Sequence, residues 1–145
     1  MLIELYPWKI AKSISLPIRI EVFVHEQGVP LEIEQDIDDS FALHAILFND
    51  GIAIGTGRLF QEDSESTTYM IGRVCVLKRH RQQGGGLFIM RSLIKEAQHF
   101  GATQCQIHAQ VSSQSFYERL GFISTSEIFM EAGIEHVMMH LTMPQ

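Results

Sequence analysis

Apolar and polar positions along the chain alternate between helical and strand periods. Residues 16–25 (LPIRIEVFVH) place apolar side chains at 16, 20, 23 and 24, a helical spacing, with Pro17 suited to a first turn and Ser15 before it as a cap. Gln27-Gly28-Val29-Pro30 marks the end of that helix. Residues 42–48 (ALHAILF) and 52–60 (IAIGTGRLF) read as the strands of a hairpin turned at Asn49-Asp50-Gly51. After a polar connection (QEDSES), residues 68–77 (TYMIGRVCVL) read as a third strand, with Gly72 marking a bulge. Residues 87–100 carry apolar side chains at 87, 90, 93, 94 and 97, a helical stripe capped by Gly101. A strand over 104–109, a short helix over 113–120 stopped by Gly121, and closing strands at 122–126 and 137–142 complete the order, with Phe129 and Gly133 near the last turn. This order predicts an α+β fold, a mixed sheet covered by helices.

Composition narrows the class. At 145 residues, 46% apolar and 19% charged, with a mean hydropathy of +0.07, the chain has the makings of one folded core, read as a single domain over residues 1–145. No run approaches the ~18 apolar residues of a membrane helix, and the N-terminal stretch MLIELYPWKIAKS lacks the basic lead and apolar core of a signal peptide. A cytoplasmic protein with no membrane association is expected. Cys75 and Cys105 lie in apolar runs without CxxC spacing, and the seven histidines show no HExxH spacing, so reduced buried thiols and no metal site are expected. The net charge of −6 argues against a nucleic-acid partner. It also hides an asymmetry. Six of the eleven basic residues lie between Arg73 and Lys95 with no acid among them, whereas six acids lie between Glu26 and Asp39 without a Lys or Arg. These runs are either solvated faces or an anion-binding and a cation-attracting region.

The strongest chemical signal is IGRVCVLKRHRQQGGGLFIM (residues 71–90), an apolar strand, a basic loop, three glycines and then a helix. Glycines let backbone N–H groups approach a ligand, and a helix N-terminus favours phosphate. There is no GxxxxGK[ST] run, and a dinucleotide fingerprint from Gly84 fails at Ile89. What remains is the RxxGxG pattern of Arg81-Gln82-Gln83-Gly84-Gly85-Gly86.

With this pattern the sequence resembles the GNAT superfamily of acyl-CoA-dependent N-acetyltransferases, whose Q/RxxGxG/A signature binds the CoA pyrophosphate. Downstream, SQSFYERLGF (residues 113–122) is similar to the family's AxxFYExLGF element, while FVHEQGVP (23–30) and GTGRL (55–59) resemble a branch of small bacterial members. The resemblance implies a central, mostly antiparallel sheet with one splayed parallel strand pair and helices on both faces. It implies acetyl-CoA as co-substrate, held by amides of Arg81, Gln82, Gln83, Gly84, Gly85, Gly86 and Leu87, by the strand backbone at Val74, Cys75 and Val76, and by Gln110 and Phe116. Gln110 and Ser113 stand where many relatives have Asn and Ala.

Acetyl transfer to an amine needs a neutral nucleophile, a polarised thioester carbonyl and a proton for the departing thiolate. An amine of pKa about 10.4 is neutral in only about one part in 2,500 at pH 7, a handicap of roughly 4.6 kcal/mol. Tyr117 is the expected acid, and a main-chain N–H near Val76 the expected carbonyl donor. His44 and Glu26 are the candidate bases, although His44 alternates with apolar neighbours and would also suit an exposed strand face. Arg73, charged within an apolar strand, calls for a partner carboxylate or an acceptor contact. His25 and His108 are either acceptor-binding residues or packing and surface histidines. The expected acceptor is a primary amine on a small molecule or peptide, and a homodimer is compatible with the sequence. A non-catalytic acyl-CoA-binding module is the alternative.

Overall fold

A computed structural model describes residues 1–144. Eight strands form one sheet in the order β1-β2-β3-β4-β5-β8-β6, with β7 paired to β8. They are β1 (Leu2–Pro7), β2 (Leu43–Asn49), β3 (Ile52–Gln61), β4 (Thr68–Val76), β5 (Gln104–Gln110), β6 (Ile123–Ser124), β7 (Phe129–Glu131) and β8 (Ile134–Thr142). Every pairing is antiparallel except β4 with β5. Helices cover both faces, so the inner strands are buried on both sides and β2 reads as a nearly continuous apolar run.

On one face lies α1 (Trp8–Arg19), continued by wider π-helical turns over Ile20–Glu26. The helix therefore begins eight residues earlier than the apolar spacing predicts. Pro17 sits inside it, and Ser15, expected as a cap, is fully buried. The Thr56 hydroxyl donates to the Ala45 carbonyl at 2.8 Å, so the Ser15 hydroxyl donates to Thr56 at 2.8 Å and ties α1 to the sheet. Ile18 and Val22 pack there with Cys75 and Leu77. After a one-turn α2 (Leu31–Glu34), the acidic segment folds into a 3-10 turn, Ile37–Phe41, capped by the Asp36 side chain on the Asp38 amide.

On the other face, α3 (Gly85–His99) buries Ile89, Met90, Leu93 and Ala97. Gly57 of β3 permits this close approach, because a Cβ there would lie 2.8 Å from Ile89 Cγ2 and 3.0 Å from Leu93 Cδ1. The short α4 (Gln114–Arg119) completes the helices. The N-terminal strand β1 carries no clear two-residue alternation (LIELYP). It owes its structure to pairing along the edge of β2.

Candidate active site

The parallel strands β4 and β5 pair only at Thr68–Gln104, Tyr69–Cys105 and Met70–Gln106. Beyond Met70 they part, and a bulge in β4 lies at the fork. There β3 advances from Thr56 to Arg58 while β4 advances from Cys75 back to Gly72, one residue more. The bulge predicted at Gly72 is present, with the left-handed backbone taken by the next residue, Arg73 (φ +52°). The fork opens into a cavity of about 850 Å3, of the size that holds small ligands.

One wall of the gap is backbone. Leu77 N–H donates to Ile54 O at 2.8 Å, so by antiparallel alternation the N–H and C=O of the preceding residue, Val76, face away from β3 into the gap. Arg81 Nε donates to Val76 O at 2.9 Å, while Nη1 and Nη2 donate to the Glu26 carboxylate at 2.6 and 2.7 Å. Beside this mouth the chain turns through Gln82 (φ +65°) and Gly84 (φ +83°) into α3. The left-handed backbone at Gly84 is the one that glycine adopts freely. The first helical bond runs from Phe88 N–H to Gly84 O, so the amides of Gly85, Gly86 and Leu87 have no earlier carbonyl to bond. They form a donor-rich, electropositive end suited to phosphate.

Tyr117, on α4, lies on the cavity wall with Val74, Cys75 and Val76. Burial, reinforced by the nearby Cys75 thiol, pushes its phenol up to about 12. Burial likewise pushes the Cys75 thiol up. Phe116 stands behind, 5.1 Å from the Tyr117 ring and edge-on to it. Across the gap Gln110 Nε2 donates to Gln27 Oε1 at 2.8 Å, bridging β5 to the end of the π-helical segment.

The far end of the cavity is polar. Glu34, Asp36, Arg58 and Arg73 line it, with Arg19 and Asp39 sealed behind them. Arg19, fully buried, donates to Glu34 Oε1 (2.9 Å), to both Asp39 oxygens (2.7 and 3.1 Å) and to the Glu34 carbonyl (2.7 Å). Arg58 donates to Asp36 (2.7 Å) and Asp39 (2.9 Å), and Arg73 to Asp36 (3.1 Å). Burial alone would raise Asp39; the hydrogen bonds and charge of Arg19, with the Asp36 amide and Arg58, outweigh it and hold the carboxyl at about 2. For Glu34 burial wins over the same arginines, and its pKa rises. Much of the acidic run expected to attract a cation is thus neutralised by three arginines. Of the two roles open to Arg73, the structure supplies the partner carboxylates.

The histidines sort differently from the sequence reading. His44 is corrected: it is 0% exposed, bonds through Nε2 to the Asp39 carbonyl at 2.9 Å, and packs 4.6 Å from the Trp8 ring, off the cavity wall. Strand alternation cannot show that α1 covers the face on which it lies. Burial also pulls its pKa down. Glu26 is at the mouth, but its carboxylate is taken up by Arg81, whose hydrogen bonds outweigh the effect of burial and lower its pKa. His25 is exposed and outside the cavity lining. His108 does line the cavity, and its Nδ1–H donates to Glu131 Oε1 at 2.9 Å. Sequence reasoning missed Gln27, Glu131 and His136, all on the wall. Gln27 lies within the FVHEQGVP motif, while Glu131 and His136 carry no local signal. Among the described residues no group of three or more His, Cys, Asp or Glu is placed to hold a metal ion, and no helix is long and apolar enough to cross a membrane.

The forked sheet, the amide-rich turn and the connecting cavity match a known architecture. The family model of the GNAT acetyltransferase domain matches residues 11–143, and the chain belongs to that family of acyltransferases, which move an acyl group from CoA to an acceptor. It is 37% identical over 123 residues, 84% of this chain and 86% of the relative, to "Uncharacterized N-acetyltransferase YjcF" of Bacillus subtilis. In structure it is similar to an acyl-CoA N-acyltransferase from Pseudomonas aeruginosa (26% identity, TM-score 0.87, covering 97% of this chain and 99% of that one). Escherichia coli ElaA is similar to the same extent (26%, TM-score 0.85, 97% and 99%).

Proposed function

We propose that this protein transfers the acetyl group of acetyl-CoA to a primary amine on a small molecule or peptide, by direct attack of the amine on the thioester. The observation that carries this reading is the fork between β4 and β5, which opens into a cavity with a polar far end and with Arg81, the start of the amide-rich turn, on its wall. The amides of residues 82–87 receive the pyrophosphate, that of Arg81 being taken up by the Lys78 carbonyl at 3.3 Å, and the backbone of residues 74–76 pairs with the pantetheine arm. For that pairing Arg81 Nε gives up the Val76 carbonyl, and Gln110 gives up Gln27 for the arm. Phe116 backs the channel.

The Val76 N–H faces the place where the thioester carbonyl would lie and stabilises its developing negative charge, as an oxyanion donor does. Tyr117, protonated at neutral pH as a phenol is, supplies the proton for the CoA thiolate. Neither Glu26, engaged by Arg81, nor buried His44 is kept as the base. The acceptor end retains Asp38, Glu62 and Glu131 on its wall outside the arginine network, which favours a cationic amine over an anionic one.

The test is thiol release from acetyl-CoA across a panel of polyamines, aminoglycosides, amino acids and peptide N-termini. Cys105 is fully buried and Cys75 nearly so, and a control without acetyl-CoA subtracts whatever the thiol reagent reaches through the cavity that Cys75 lines. Amine-dependent release supports the proposal, whereas tight CoA binding without release with any amine identifies a non-catalytic acyl-CoA-binding module.

A further inference from the structure

We propose that His108 is the base that takes the proton from the acceptor amine, with Glu131 as its positioning residue, a role that rests on the amine-transfer reading above. His108 is on β5, at the part of the strand that has left β4, and its ring lines the cavity with about a third of the side chain exposed. Glu131, on β7, accepts the Nδ1 proton at 2.9 Å, which fixes the tautomer and leaves Nε2 as the basic nitrogen. Phe129 sets its ring edge-on at 5.4 Å and limits the tilt of the imidazole.

The charged surroundings are few. His136 on β8 places Nε2 3.7 Å from the second Glu131 oxygen and bonds through Nδ1 to the Ile134 carbonyl at 2.7 Å. Arg73 on β4 adds positive charge toward Glu131 and is itself paired with Asp36 and Glu34. Glu131 is therefore held ionised, its carboxyl lowered chiefly by the His108 hydrogen bond, and faces the imidazolium that forms when His108 takes a proton.

The step balances without another reactant. An ammonium acceptor gives one proton to His108 Nε2, and the neutral amine then forms the C–N bond to the thioester carbon. As the carbonyl re-forms the C–S bond breaks, and the thiolate takes the Tyr117 proton. The new amide nitrogen returns its extra proton to the tyrosinate, and His108 releases its proton to solvent.

The test uses the whole protein, saturated with acetyl-CoA, and two probe amines at high concentration: n-butylamine, almost wholly protonated at pH 7, and trifluoroethylamine, largely neutral there. His108→Gln should leave CoA affinity unchanged and lower kcat/KM for butylamine by ~10²-fold or more, with at most about a threefold loss for trifluoroethylamine. The butylamine loss should shrink as pH rises and solvent supplies free amine. Glu131→Gln should cost about tenfold on butylamine, and the double variant should be no worse than His108→Gln alone. An equal loss on both amines at every pH, or none on either, overturns the base assignment and leaves the amine-transfer reading intact. Failure of the wild-type protein, while binding acetyl-CoA, to acetylate either of these amines or any amine of the panel above overturns both.

Discussion

Asp39 offers a direct measure of what holds the acceptor end together. It is buried, accepts from Arg19 and Arg58 at 2.7–3.1 Å, and has its pKa lowered from 3.8 to about 2. Each pKa unit is about 1.36 kcal/mol, so ionised Asp39 favours the folded state by roughly 2.4 kcal/mol. Asp39→Asn keeps the size of the side chain and removes the charge, leaving two buried guanidiniums short of a partner. Breaking buried pairs costs about 3–5 kcal/mol, so the expected loss at pH 7 lies between roughly 2 and 5 kcal/mol. The lower figure corresponds to about 5–10 °C in Tm for a chain of this size.

Because the folded pKa is depressed, the stabilisation is complete above the ordinary carboxylate value near 4 and disappears as pH falls through about 2. Urea unfolding of both proteins at several pH values reads this directly. The gap between them should be full at pH 7 and close toward pH 2. A loss under about 0.5 kcal/mol at pH 7, or one that persists unchanged to pH 2, would refute the network as described.

The donor site gives a second expectation. A Cβ at Gly86 would meet its nearest neighbour, Phe116 Cζ, at an ordinary 3.7 Å, so Gly86→Ala should fold normally, while Gly86→Asp should abolish CoA binding by calorimetry through charge at the phosphate amides. Tyr117→Phe keeps the ring packing and should retain CoA affinity while turnover falls ~10²-fold; wild-type turnover would remove the tyrosine from the chemistry. If the acceptor is cationic, its KM should rise with ionic strength, and a KM insensitive to salt between low and physiological concentrations would count against Asp38, Glu62 and Glu131 as an attracting group.

Local pattern was enough for much of the architecture. The hairpin at Asn49-Asp50-Gly51, the bulge beside Gly72, the stripe of α3 and the glycine turn into it all depend on residues close in sequence, and periodicity and turn chemistry report such interactions. The RxxGxG and FYExLGF runs belong to this kind, and they were sufficient to point to the family that the comparisons establish. Tertiary structure decided the rest. β1 takes its structure from the edge of β2, which it meets only after folding, so no two-residue alternation announces it, whereas the first half of α1 does carry a helical stripe (Trp8, Ala11, Ile14, Ile18) that a reading begun at Leu16 passes over. The acid run at 26–39 reads as a cation attractor until the fold brings Arg19, Arg58 and Arg73 to it from up to 39 residues away. His44 and His108 both sit on alternating strands, yet α1 seals the first and the parting of β4 from β5 opens the second. Which side of a strand is covered depends on what packs there, and that is set by contacts between elements far apart in the chain.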